Sequence, residues 1–95
     1  MKLYFYSDPS HGWLKVPLNI FFQNTSEEFR DSISSFSYLS KNAVFLEEDR
    51  DARIFMWEMT SKGIDISISE HHSNKSSKIR RYEKYSHTKA KQYFK

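Results

Sequence analysis

Cysteine is absent from the 95 residues. That excludes a disulfide scaffold, a Cys-ligated zinc site, an iron–sulfur cluster and any thiol nucleophile. Glycine occurs only twice, too rarely for a phosphate-cradling loop of the GxGxxG or Walker type. No apolar run approaches the roughly 18–20 residues of a membrane span, and the N-terminal stretch has no signal-peptide apolar region. The expectation is a cytoplasmic domain with no membrane partner. None of the fifteen serines lies in a GxSxG elbow, so a serine hydrolase is not indicated.

What is present is globular composition: 38% hydrophobic and 28% charged residues, with sixteen aromatics, eight of them Phe. One domain fits the length. Charge is split along the chain. Residues 1–72 hold seven Lys/Arg against eleven Asp/Glu, a balance of −4, whereas residues 73–95 hold eight against Glu83 alone, a balance of +7. The division reads as an acidic α+β body (1–72) followed by a basic linker and C-terminal helix (73–95), either within the same domain or as a docked arm. A basic segment on an acidic body points to a polyanionic partner or to docking of tail on body.

Local signals give the elements. Lys2–Tyr6 and Trp13–Val16 read as short strands around the turn residues Ser7–Gly12. Pro17 suits the first position of a short buried helix carrying Leu18, Ile20, Phe21 and Phe22. Thr25 and Glu28 have capping-box spacing before a helix over 26–35, with Phe29, Ile33 and Phe36 on one face. Ser37–Ser40 and Ala43–Glu47 flank a two-residue turn at Lys41-Asn42. A helix capped by Asp49 or Asp51 runs to about Lys62, where Gly63 stops it. Ile64, Ile66 and Ile68 alternate with polar residues as a half-buried strand does. His71–Ser77 reads as a polar linker and 78–94 as a terminal helix. The fold class expected is α+β: a small single domain with a mostly antiparallel sheet of about four to five short strands. Two or three helices pack it, including a basic amphipathic C-terminal one.

In the middle helix Ala52, Phe55, Met56 and Met59 form the stripe that should lie on the sheet. Ile54 and Trp57 fall on the opposite flank, as a surface for another helix or an anchor for a protein partner. In the terminal helix Ile79, Tyr82, Tyr85, Ala90, Tyr93 and Phe94 share one half of the wheel. Arg80, Arg81, Lys84, Lys91 and Lys95 occupy a sector about 100° wide on the other, with Lys78 and Lys89 at its margin. The apolar half should dock, over Ile54 and Trp57 in one arrangement. The basic half, with Lys75 in the lead-in, would contact phosphates at successive turns.

Glu47, Glu48, Asp49 and Asp51 place four carboxylates within five positions. Hard cations choose such oxygens, but helix-start electrostatics account for the cluster as well, and neighbouring residues cannot all ligate one ion. His11, His71, His72 and His87 have no zinc spacing; His71 and His72 could bind metal with His87 only if the fold assembled them. No catalytic residue, metal site or cofactor is therefore expected, and the chain reads as a non-enzyme.

Three segments resemble a set of small, uncharacterised proteins of bacteria and mobile elements, phage or plasmid, that read GWLxVP, YSY and LEEDxDA in this order. The corresponding residues are Gly12–Pro17, Phe36-Ser37-Tyr38 and Leu46–Ala52, with Phe36 in place of a tyrosine. The resemblance covers about residues 11–72. It implies a compact domain of phage or plasmid origin and no catalytic residue. The leading functional expectation is weak, salt-sensitive, sequence-independent nucleic-acid binding through Lys75, Lys78, Arg80, Arg81, Lys84, Lys91 and Lys95. The alternative is a small regulator or inhibitor of a host protein, of anti-defence type, using Ile54 and Trp57 or the carboxylates at 47–51. A metal-dependent nuclease built on Glu47, Glu48, Asp49 or Asp51 ranks below both.

Overall fold

In the computed structural model, which describes residues 1–95, the chain forms one α+β domain. Strands β1 (Lys2–Ser7) and β2 (Gly12–Pro17) make an antiparallel hairpin. Asp8 turns it, its Oδ1 accepting the backbone N–H of Ser10 and of His11 at 3.0 Å each. Strand β4 (Ala43–Glu47) pairs antiparallel with β2, and β3 (Tyr38–Leu39) with β4. Two further strands complete the sheet: β5 (Ser67–His72), parallel to β1, and β6 (Glu83–Lys84), antiparallel to β3. The order is β5-β1-β2-β4-β3-β6. Helices α1 (Leu18–Asn24), α2 (Glu27–Ser32), α3 (Asp51–Ser61) and α4 (His87–Phe94) complete the domain. Six strands and four helices thus stand where the sequence suggested four to five and two or three. No helix is long and apolar enough to cross a membrane.

The helices share one face of the sheet. Leu3, Leu14, Val16, Leu39, Val44 and Leu46 point from the strands into a core completed by Phe21, Phe29, Phe55, Met59 and Ala90. A smaller core of Trp13, Ala43, Phe45 and Ile79 lies on the other face. Strand β4 is buried at all five positions because it is covered on both sides, which explains its nearly continuous apolar run.

Several local readings shift. Pro17 is the last residue of β2 and the residue before α1 rather than its first helical position. Ser26, not Thr25, caps α2, its Oγ accepting from Phe29 N–H at 3.1 Å. Thr25 instead closes α1, its hydroxyl donating to the Phe21 carbonyl. Helix α2 ends at Ser32, so Ile33 and Phe36 lie beyond it. The Lys41-Asn42 turn is where expected, with Leu39 paired to Val44 across it. Helix α3 ends as expected, with Gly63 at φ +75° in the left-handed region. Ile64 and Ile66 pack on the core without joining a strand, and β5 begins at Ser67 and absorbs His71 and His72.

The largest difference is in the terminal segment. No helix spans 78–94: a 3₁₀ turn over Lys78–Arg81 leads to β6, and only His87–Phe94 is helical. Each piece has its own cap, Ser77 Oγ accepting from Ile79 N–H and Ser86 Oγ from Lys89 N–H. Aromatic and β-branched residues lose rotamer freedom in helices, and here Ile79 and Tyr82 bury against the sheet instead. Helix α4 does not cover Ile54 and Trp57. It packs on α1 through Phe94 stacked on Phe22 at 4.5 Å, leaving Trp57 71% exposed.

One glycine is required by space. A Cβ on Gly12 would lie 2.3 Å from Phe5 Cζ and 3.1 Å from Glu48 Oε2. Phe5 is itself packed against the main core, so its ring must shift. Gly12→Ala should therefore cost about 1–3 kcal/mol in urea denaturation. An unchanged midpoint would show that Phe5 moves freely.

Candidate nucleic-acid interface

Strand alternation decides what the second face of the sheet displays. Residues paired across neighbouring strands project from the same side. One register row therefore reads Ser69–Tyr4–Lys15–Phe45–Tyr38–Lys84 from β5 to β6. A second row reads His71–Tyr6–Trp13–Glu47. Both lie opposite the helix layer, because the residues between them feed the main core. Six of these ten side chains carry aromatic or imidazole rings; Trp13 and Phe45 lie within the small core, and Tyr6 and Tyr38 pack on it with Tyr82.

A strap formed by Ser77–Tyr82 covers the β2–β4 part of this face. Ile79 is buried against Trp13, Ala43 and Phe45, and the Tyr82 ring lies 5.1 Å from that of Phe45. Asp8 anchors the strap. Its carboxylate accepts Arg80 Nε at 2.7 Å and Nη2 at 3.0 Å, and Ser77 N–H at 2.9 Å. The Arg80 guanidinium, which also sits 5.2 Å from the Trp13 ring, holds the Asp8 carboxyl well below the usual carboxylate range.

The β5–β1 part lies beside the strap, with Tyr6 packed on the edge of the small core. Tyr4 is 40% exposed, Tyr6 half-buried and His71 exposed. The Tyr6 and His71 rings stack at 5.3 Å and 25°, and Tyr4 lies 5.7 Å from His71. Lys2 Nζ is 5.7 Å from the Tyr4 ring centre. Between these rings and the strap, Tyr6, Lys15, Phe45, Lys78 and Tyr82 line a depression of about 140 Å³. Among the ten row positions Glu47 is the one carboxylate, at the far end.

The basic residues expected on one helical face are dispersed by the broken segment. Lys78 lines the depression, and Arg80 is engaged by Asp8. Lys84 donates to the Ser35 carbonyl at 3.1 Å with its ammonium 5.5 Å from the Tyr38 ring. Arg81 and Lys75 are exposed. Lys91 pairs with Glu27 at 3.3 Å on the helix side, and Lys95 follows α4. Ile54 packs on the main core, whereas Trp57 projects from the outer surface of α3 beside Asp49, Arg50 and Arg53.

The acidic cluster is likewise divided. Glu47 ends a row of the sheet face, Glu48 turns to the groove of Phe5 and Met56, and Asp51 is buried among serines. Burial pushes the Glu47 carboxyl above its ordinary value. The histidines do not assemble: His72 bonds Ser7 Oγ at 2.9 Å, while His87 pairs with Asp31 in the helix layer. The sequence assigns Tyr4, Tyr6 and Lys15 no site role and offers His71 only as a conditional metal ligand. The alternation of Lys2, Tyr4 and Tyr6 was a legible signal; their alignment with Lys15 depends on strand register. No protein-family model, curated protein or solved structure matches the chain.

Proposed function

We propose that the domain binds single-stranded nucleic acid across the β5–β1 part of its sheet, beside the strap. The observation that carries this reading is the Tyr4–Tyr6–His71 cluster, aligned with Lys15 and flanked by Lys2 and Lys78. Aromatic rings offer unpaired bases a stacking surface, worth about 1–3 kcal/mol per base. Lysines beside them neutralise phosphates. A duplex hides its base faces, so single strands are preferred. Ring stacking tolerates any base, so sequence preference is weak.

Three phosphate contacts on a single strand give a log–log salt slope of about −2, or roughly a hundredfold loss per tenfold rise in salt. Labelled single- and double-stranded oligonucleotides titrated at two salt concentrations test this. Tyr4→Ala and Tyr6→Ala should each weaken single-strand binding about 5- to 150-fold. Lys15→Gln should reduce the slope by about 0.7. Lys91→Gln, on the helix side, should change neither. Equal affinity of the tyrosine variants, a preference for duplex, or no binding at low salt overturns the reading.

The exposure of Trp57 favours a second reading, a protein-binding surface centred on that ring. Its affinity would be nearly independent of salt and insensitive to Tyr4→Ala, which separates the two.

A further inference from the structure

We infer that His11, Glu47 and Asp49 form a site for one divalent transition-metal ion. Their ligand atoms, one imidazole nitrogen and two carboxylate oxygens, all lie within 4.8 Å of one another. Bonds of about 2.0–2.2 Å around a tetrahedral ion would place them about 3.4 Å apart, within reach of small side-chain rotations. The three come from separate structural origins: His11 from the β1–β2 turn, Glu47 from the end of β4, and Asp49 from the β4–α3 junction. Two of them are already fixed. Asp8 Oδ1 holds the His11 backbone, and Asp49 N–H donates to Glu47 Oε2 at 3.0 Å.

A second observation is the state of Glu47. Its side chain is 95% buried, yet Oε1 accepts no hydrogen bond, and the nearest basic atom, His11 Nδ1, stands 4.0 Å from Oε2. The cations that border the same depressions are committed elsewhere. Arg50 donates to Asp51 and the Ser32 carbonyl, Arg80 to Asp8, and Lys84 to the Ser35 carbonyl. Two depressions meet at Glu47, one lined by Ser34, Phe36, Asp49 and Arg50, the other by Trp13 and Tyr38. No buried side-chain oxygen of the protein lacks a hydrogen-bond partner, so the unbonded Oε1 is open to solvent. The Glu47 side chain is thus mostly buried with no paired cation, and a bound ion would supply the counter-charge at its open oxygen. One imidazole with two carboxylates and an open position suits Zn²⁺ or Mn²⁺.

The test uses the full chain with no nucleic acid, so its outcome is independent of the function proposed above. Mn²⁺ is titrated while amide line broadening is followed by NMR, and Zn²⁺ binding is measured by calorimetry. One saturable site is expected, with broadening centred on His11, Phe36, Glu47 and Asp49. Glu47→Gln, Asp49→Asn and His11→Ala should each weaken binding by about tenfold or more. Glu47→Gln removes a buried charge and keeps the side-chain shape, and His11→Ala alters a 40% exposed side chain, so circular dichroism should show both folded. His87→Ala, in the Glu27/Asp31/His87 group, should leave binding unchanged. Wild-type affinity in Glu47→Gln, no saturation below millimolar metal, or broadening centred on Glu27, Asp31 and His87 would overturn the site.

Discussion

Asp51→Ala should destabilise the protein by about 3–5 kcal/mol, seen as a melting temperature about 15–30 °C lower. Asp51 is fully buried at the first turn of α3. Its Oδ2 accepts Ser34 N–H at 3.0 Å and the hydroxyls of Ser34 and Ser37 at 2.6 Å each. Ser37 Oγ in turn accepts the Glu47 backbone N–H at 2.9 Å. One carboxylate therefore ties the loop after α2 to the end of β4 and the start of α3. Alanine would strand the Ser37 hydroxyl in the interior and leave the two donors of half-buried Ser34 without their acceptor. An unmet buried donor costs about 1–3 kcal/mol. The Arg50 contact at 2.7 Å adds little, because that side chain is 49% exposed. A domain of this size has a total stability of about 5–15 kcal/mol, so the loss is a large share. Asp51→Asn retains one acceptor oxygen and should fall between the two. A shift under 1 kcal/mol for alanine, measured by urea denaturation, would mean that the serines find other partners.

What the sequence disclosed was local. Strands β1 and β2, the Lys41-Asn42 turn and the Ala52–Phe55–Met59 stripe ending at Gly63 depend on residues within a few positions of one another. The errors occur where a distant partner decides. Thr25 and Ser26 both offer a cap hydroxyl, and the burial of Thr25 against α1 leaves the role to Ser26. Ile64 and Ile66 pack on the core, but the strand begins at Ser67, opposite Lys2 of β1, and Ile68 on this edge strand stays 42% exposed rather than half-buried. The helical spacing over 78–94 was a coincidence of composition. Ile79 and Tyr82 serve the strap, residues 83–84 pair with β3, and Ser86 restarts the chain as a helix. That serine, midway along an assumed helix, was the readable warning. For the candidate interface, Tyr4 and Tyr6 could be placed on one side of a strand. Lys15, His71 and Lys78 reach them only through pairing register and the path of the strap.

The strap depends on Asp8, and Asp8→Asn should cost about 3 kcal/mol at neutral pH, the lower end for breaking a buried ion pair. The Asp8 side chain is almost fully buried, while that of Arg80 is 32% exposed, so the stranded guanidinium can recover some water. The pair is bidentate and adds the backbone N–H groups of Ser10, His11 and Ser77. The Arg80 bond is the largest cause lowering the Asp8 carboxyl; burial opposes it, and the three backbone bonds add to the lowering. A carboxyl held below its unfolded value near 4 contributes stability that is complete above that pH and is lost as the solution becomes more acidic. Wild-type stability should therefore fall progressively below about pH 4, and Asp8→Asn should be flatter in the same window. Asp31 and Glu83 are also lowered, by His87 and by Tyr93 with Lys89. Both are more exposed and better screened, and both remain in the variant, so the difference between the two curves isolates Asp8. Chemical denaturation across pH 2–7 provides those curves; parallel curves would exclude the Asp8–Arg80 latch as an acid-labile element. The same variant separates stability from binding. Tyr4, Tyr6 and His71 stand on strands beside the strap, whereas Lys78 is positioned by it. Loosening the strap should therefore preserve most of the single-strand affinity while reducing the salt slope by about 0.7, the share of one phosphate contact.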